Sequence, residues 1–162
     1  MQNHAVEYVQ DNAFCYCRTV YLTDTNAEGN VYFARYFDWQ GETREAYLKS
    51  GISPEEYRAM VVSKTRMVTV NARVDYFKML LLFDAVKIRL NTRNIKRASL
   101  ELTFSFFNEK NGVLTAEGSQ QLAFQNRHGR LIPIPPPIRR LALAIELGVE
   151  AVSGAFSSIS TK

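Results

Sequence analysis

Residues 34–49 carry a helical hydrophobic pattern, and from Ser63 onward the chain reads as a succession of long strands separated by turn residues. That order constrains the fold most. A single long helix followed by consecutive antiparallel strands can bury its apolar stripe only against the sheet those strands build, an α+β pattern with an antiparallel β-sheet wrapped around one long central α-helix. The strands are expected at about 64–77, 84–94, 98–108 and 113–126, with hairpin turns from Asn94 to Arg97 and from Glu109 to Gly112. An earlier strand is expected over 13–23, where β-forming residues alternate, followed by the turn-rich loop Asp24-Thr25-Asn26-Ala27-Glu28-Gly29-Asn30. Gly51 is the expected stop of the long helix, and Ser53-Pro54-Glu55-Glu56 opens a short second one. Ile132-Pro133-Ile134-Pro135-Pro136-Pro137 suits neither regular helix nor central strand, residues 138–150 read as a further helix, and Ser153–Lys162 as a frayed tail. With 162 residues, no internal repeat and no linker, a single domain is expected over the whole chain.

Composition narrows the function. At 46% hydrophobic and 12% aromatic residues the chain can bury a core, which argues against disorder. A net charge of +4 favours an acidic partner without naming one, and no basic cluster interleaved with aromatics points to nucleic acid. No apolar run approaches the ~20 residues that span a bilayer, and Met1–Glu7 resembles no secretory signal. Cys15 and Cys17 would share one face of a strand, too close in sequence to staple anything, and His4 and His128 are the only histidines available as metal companions. Unpaired thiols and a cytoplasmic location are therefore expected.

The long helix carries the chemistry. At ~100° per residue, Phe33, Phe37, Gln40, Arg44 and Leu48 fall on one face with Gly41, Tyr36 and Tyr47 on its margins, opposite Arg35, Asp38, Glu42, Glu45 and Lys49. Arg44 thus stands within an apolar stripe, where a guanidinium must be paired or used. It is either a structural ion pair with a carboxylate of the sheet or of a neighbouring subunit, or a cation held for a substrate oxygen. Gly41 either admits a ligand or the sheet close to the backbone or merely packs. The loop ahead of the helix is expected to offer backbone N–H groups at a positive helix end; Asn26 by default is a turn residue, and Tyr36 a core residue.

The stretch from Tyr21 to Trp39, with Asp24-Thr25-Asn26-Ala27-Glu28-Gly29-Asn30-Val31-Tyr32-Phe33-Ala34-Arg35-Tyr36 at its centre, resembles the opening of a hot-dog fold thioesterase of the 4-hydroxybenzoyl-CoA thioesterase-like branch. Val74-Asp75-Tyr76 and Asp84-Ala85-Val86 fit that branch's flanking strands, and the resemblance covers a core of about 14–135. The branch places a catalytic carboxylate where this chain has Asn26, and an amide is neither nucleophile nor general base. The sequence is most similar to thioesterases of enediyne polyketide biosynthesis, which carry Asn there and an arginine on the helix.

What the resemblance implies is a hot-dog domain that hydrolyses a β-ketoacyl polyene thioester from the acyl-carrier domain of an iterative polyketide synthase. Decarboxylation then gives a polyene or methyl ketone in antibiotic biosynthesis, with no cofactor. Asn26, Tyr36 and Arg44 carry over as catalytic; Gly41, Gln40 and Phe33, on or beside the same helix stripe, are expected to bind substrate. Leu81 and Leu82, in the apolar run from Phe77 to Phe83, are read as the wall of a hydrocarbon channel or as packing at a subunit interface. A homodimer or homotetramer is implied, and Arg66, Arg73, Lys78, Lys96, Arg97, Arg139 and Arg140 are candidates for docking the acidic carrier. Three rivals remain: a general acyl-CoA thioesterase using Asp24, a non-catalytic acyl-carrier or acyl-CoA binding module, and a dehydratase, for which His4 and His128 are badly placed.

Overall fold

Alternation builds the sheet. In β4 (Ala85–Arg93) and β5 (Ser99–Asn108) every second side chain is buried, so Val86, Ile88 and Leu90 share a core face with Leu100, Leu102, Phe104 and Phe106. The computed structural model describes residues 6–146, and in it six strands form one antiparallel sheet wrapped around α1 (Arg35–Gly51). The remaining elements are β1 (Val6–Gln10), β2 (Ala13–Thr19), α2 (Pro54–Val62), β3 (Arg66–Tyr76), β6 (Leu114–Gln125) and α3 (Pro136–Glu146). The expected tail from Ser153 lies outside the described residues.

The strand order is β1-β2-β4-β5-β6-β3. β3 therefore does not pair with β4, its successor in sequence, but crosses to the far edge beside β6. The connection is the apolar run from Phe77 to Phe83, whose Leu80 is wholly buried. β1 escapes a sequence reading because its side chains are mostly exposed, which erases alternation. Its signal lies in Asp11 and Asn12, both at positive φ (49° and 57°), the left-handed pair that a tight hairpin into β2 requires.

The helix is rotated from its expected orientation. Its buried residues are Tyr36, Trp39, Gln40, Thr43, Ala46, Tyr47 and Gly51, whereas Phe33 and Phe37 are exposed. Trp39 decides this. Its ring lies against Tyr36 (5.1 Å between centroids) and Phe106 (6.5 Å), with the Arg18 guanidinium 4.6 Å from its centroid. Gly51, expected as the stop, is the last helical residue, and its missing Cβ is the space that Leu141 of α3 occupies. α3 docks further through the Tyr47 hydroxyl, which donates to the Leu141 carbonyl at 2.8 Å.

β3 carries a bulge between Thr69 and Asn71. Met67 and Val74, an odd number of residues apart, both pack against the core, which an unbroken strand forbids; the extra residue reverses the facing. Opposite, on β6, Gly118 has no side chain because Gln40 fills its place: a Cβ there would meet Gln40 Nε2 and come within 2.8 Å of the Arg73 carbonyl. Gly118→Ala is expected to cost about 1–3 kcal/mol of stability through overpacking. Urea denaturation measures this, and an unchanged midpoint would mean that Gln40 withdraws freely.

Candidate functional site

Two side chains one helical turn apart carry α1 onto the β3–β6 edge. Gln40 is 0% exposed, and its Nε2 donates to the Arg73 carbonyl at 3.0 Å while its Oε1 is buried without a partner. Arg44 Nη1 donates to Gln120 Oε1 at 2.9 Å and to Thr69 Oγ1 at 3.1 Å. Among the described residues no carboxylate lies within ion-pair distance of Arg44, and its Nε is buried without a partner. Burial depresses the Arg44 pKa, an effect only weakly opposed by the neighbouring Glu45 charge. Among the described residues, then, neutral acceptors rather than an ion pair hold this cation.

Tyr36 is buried, its ring edge-on to Tyr76 and Phe106 at 5.1 Å each. Burial, reinforced by Tyr76, pushes its phenol up to about 12, so it remains protonated at neutral pH. Its hydroxyl has no hydrogen-bond partner among the described residues. Tyr76 OH donates to the Phe33 carbonyl at 2.8 Å, tying the entry of α1 to β3.

Asn26 is a turn residue in this loop. Its Oδ1 accepts from the Glu28 N–H at 2.9 Å, and its backbone N–H donates to the Asn30 carbonyl at 2.9 Å. Asn26 and Tyr36 do not hydrogen-bond to each other. Nor does the loop present a free row of N–H groups, because those of Asp24, Thr25, Asn26, Glu28, Gly29, Val31 and Tyr32 are all engaged internally or by Leu80. The structure does bring Leu81 and Leu82 beside this loop: Val31 N–H donates to the Leu80 carbonyl at 2.9 Å, and Asn30 bridges Leu81. Leu81 is exposed and Leu82 half-buried. Gly41 is half-buried and opens onto empty space, so the sheet makes no close approach there.

Asp24 is occupied. Its carboxylate accepts the Tyr21 N–H at 2.9 Å, and both its oxygens lie 3.3 Å from Arg18 Nη2, while Arg18 Nη1 reaches Glu42 at 2.6 Å. The basic candidates divide as well. Arg139 donates to the Lys96 carbonyl at 2.9 Å, beside Arg97, but Arg73 is paired with Asp75 and Arg140 with Glu56.

Sequence reasoning missed Gln120, Thr69 and Gly118. Gln120 lies in register with Gly118, Leu122 and Phe124 on the inward face of β6, where a polar residue among apolar ones is a signal. Gly118, isolated within a strand, is another. Thr69 had none, since its facing depends on the bulge.

The model of the family described as the thioesterase-like superfamily matches residues 20–141. A 1,4-dihydroxy-2-naphthoyl-CoA hydrolase of Thermosynechococcus vestitus is 26% identical over 127 residues, covering 76% of this chain and 84% of the relative. One from Rippkaea orientalis is 31% identical over 119 residues, covering 73% and 81%. Among solved structures, the dynemicin thioesterase, described with induced-fit and allosteric effects upon polyene binding, superposes with a TM-score of 0.75 at 28% identity, covering 82% of this chain and 96% of that one.

Asp24→Asn removes the charge that Arg18 faces while keeping its shape. A stability loss of about 1–3 kcal/mol is expected, the size of a hydrogen bond to a charged group; thermal denaturation measures it, and an unchanged melting temperature would show that Glu42 alone satisfies Arg18.

Proposed function

This chain belongs to the thioesterase-like superfamily, and from that premise we propose that it hydrolyses a β-ketoacyl polyene thioester delivered by the acyl-carrier domain of an iterative polyketide synthase. The observation that carries the reading is Arg44, a half-buried guanidinium held by neutral acceptors and, among the described residues, lacking a carboxylate. Such a cation suits a substrate whose oxygens accumulate negative charge. The similarity to a dynemicin thioesterase described with bound polyene supports the substrate class.

The chemistry needs no protein carboxylate. Water adds to the thioester carbonyl carbon, the C–S bond breaks, and the proton leaves with the thiol, giving a β-keto acid. Loss of CO2 then breaks the adjacent C–C bond, and the resulting enolate takes a proton to become a methyl ketone. Arg44 binds the β-keto and carboxylate oxygens and stabilises both oxyanions, a contribution of about 3–4 kcal/mol for one such donor. Asn26 Oδ1 is committed to Glu28, which leaves the amide NH2 as a donor to the thioester carbonyl. Tyr36, with its phenol pushed up to about 12, is likewise a donor and no base at neutral pH. Activation of the electrophile replaces activation of the nucleophile.

Phe33 and Gly41 line the helix side of this site, and Leu81 and Leu82 the hydrocarbon side; Gln40, expected to bind substrate, is wholly buried against Gly118 and has a packing role instead. Tyr32, Phe33, Phe37, Leu81 and Phe83 are exposed large apolar residues, and β3 leaves one edge unpaired, features that favour a homodimer or homotetramer whose second copy completes the channel. The cluster of Lys96, Arg97 and Arg139 suits an acidic carrier. The rival general acyl-CoA hydrolase draws on the naphthoyl-CoA hydrolase relatives, but its carboxylate, Asp24, is held by Arg18 and the Tyr21 amide.

Single-turnover assays with a β-ketoacyl thioester and its saturated counterpart test the reading. Selective release from the β-keto substrate, lowered ~10²–10³-fold in Arg44→Ala and retained in Asp24→Asn, is expected. Equal release from both substrates, indifferent to Arg44 and abolished in Asp24→Asn, would establish the general hydrolase instead. Tight binding without thiol release would establish a binding module. Leu81→Ala and Leu82→Ala are expected to shift the preferred acyl length; an unchanged length profile would remove both from the channel.

A further inference from the structure

The two anchors of Arg44 converge on one nitrogen. Gln120 Oε1 and Thr69 Oγ1 both accept from Nη1, at 2.9 and 3.1 Å, and Nη2 makes no hydrogen bond among the described residues while Nε is buried without one. The guanidinium is therefore gripped at one corner, and its Nε–Nη2 edge is left over. That edge is the two-pronged one. Elsewhere in this structure Arg73 uses it to hold Asp75, Nε to Oδ2 at 2.9 Å and Nη2 to Oδ1 at 3.0 Å.

The anchors share a second property. An amide oxygen and a hydroxyl fix the direction of a guanidinium without cancelling its charge, whereas a carboxylate in either place would do both. A contrast lies beside the same helix: Arg18, on β2, is met by Asp24 and Glu42. Placing the anchors takes specific backbone features. Gln120 is 5% exposed on the inward face of β6, and Thr69 turns its hydroxyl toward α1 because the bulge that follows it reverses the facing of β3.

Building on the reading of Arg44 as an anion-binding residue, we propose that Gln120, assisted by Thr69, is a positioning residue that clamps Arg44 Nη1 through a neutral contact and so reserves the Nε–Nη2 edge for a planar, two-oxygen anion. The matching ligand is a carboxylate or the enolate form of a β-keto group. A single-oxygen anion engages the edge less well.

The test uses full-length protein and calorimetric binding of octanoate and its neutral isostere octanamide at pH 8, for wild type, Gln120→Glu, Gln120→Met and Arg44→Ala. Wild type is expected to prefer octanoate, and Arg44→Ala to erase the preference. Gln120→Glu installs a competing carboxylate and is expected to weaken octanoate about tenfold or more while leaving octanamide unchanged. Gln120→Met, which removes the anchor without adding charge, is expected to weaken octanoate less. Equal losses for both ligands in Gln120→Glu would indicate mere structural damage and overturn the proposal, as would wild-type octanoate binding in that variant. If wild type shows no preference for octanoate, the reading of Arg44 fails and this proposal with it. A preference that is lost in Arg44→Ala yet intact in Gln120→Glu sinks the proposal alone. Should Gln120→Glu not fold, Thr69→Asp brings the same competing carboxylate from the exposed side of β3 and is read by the same criteria.

Discussion

The rotation of one helix about its axis is the constraint on which the rest depends, and the burial of Trp39 sets it. With its indole between Tyr36, Phe106 and the Arg18 guanidinium, α1 has a single orientation that keeps the largest side chain out of water. From that rotation it follows that Gln40 must enter the sheet where Gly118 makes room, and that Arg44 arrives one turn later at the bulged edge of β3. Packing around Trp39 sets the rotation, and the hydrogen bonds of Gln40 and Arg44 fasten it to the sheet.

The two arginines beside this helix illustrate how charge is allotted. Arg18 has a 7% exposed side chain and faces two carboxylates and a ring, so its charge is neutralised and contributes to holding β2, the loop after it and α1 together. Arg44 is half-buried and meets an amide and a hydroxyl, with no counter-anion among the described residues. A partly desolvated cation held this way is unfavourable in isolation, and such costs persist in folded proteins mainly at sites that bind something. Asp24, the nearest carboxylate in the helix-opening motif, is likewise engaged, by Arg18 and the Tyr21 amide.

The crossover between β3 and β4 links fold to site in another way. Because β3 must reach the far edge of the sheet, the run from Phe77 to Phe83 spans the mouth of the fold, buries Leu80 and fastens to the Asn26 loop through backbone contacts at Val31 and Asn30. Its remaining apolar side chains, Phe77, Met79, Leu81 and Phe83, face outward together with Tyr32 and Phe33. One connection therefore supplies the loop with a rigid neighbour and the surface with an apolar patch.

Much of this was legible from residue order. Alternation located β3 to β6 within a few residues, the Ser53–Glu56 capping box opened α2, and the helix-opening motif pointed to the thioesterase-like superfamily. These are local properties: a period of two, a cap and a motif are each complete within a short span of chain. The rotation of α1, the crossover of β3, and the partners of Arg44 and Asn26 were not legible, because each depends on residues far apart in sequence. Arg44 finds Gln120 across 76 positions, and whether Thr69 faces it is decided by a single extra residue that slips the register. The sequence by itself determined that a cation would sit on the central helix and need a partner. Only the tertiary structure decided that the partners would be neutral, because hydrogen bonds between distant elements are chosen by packing and register.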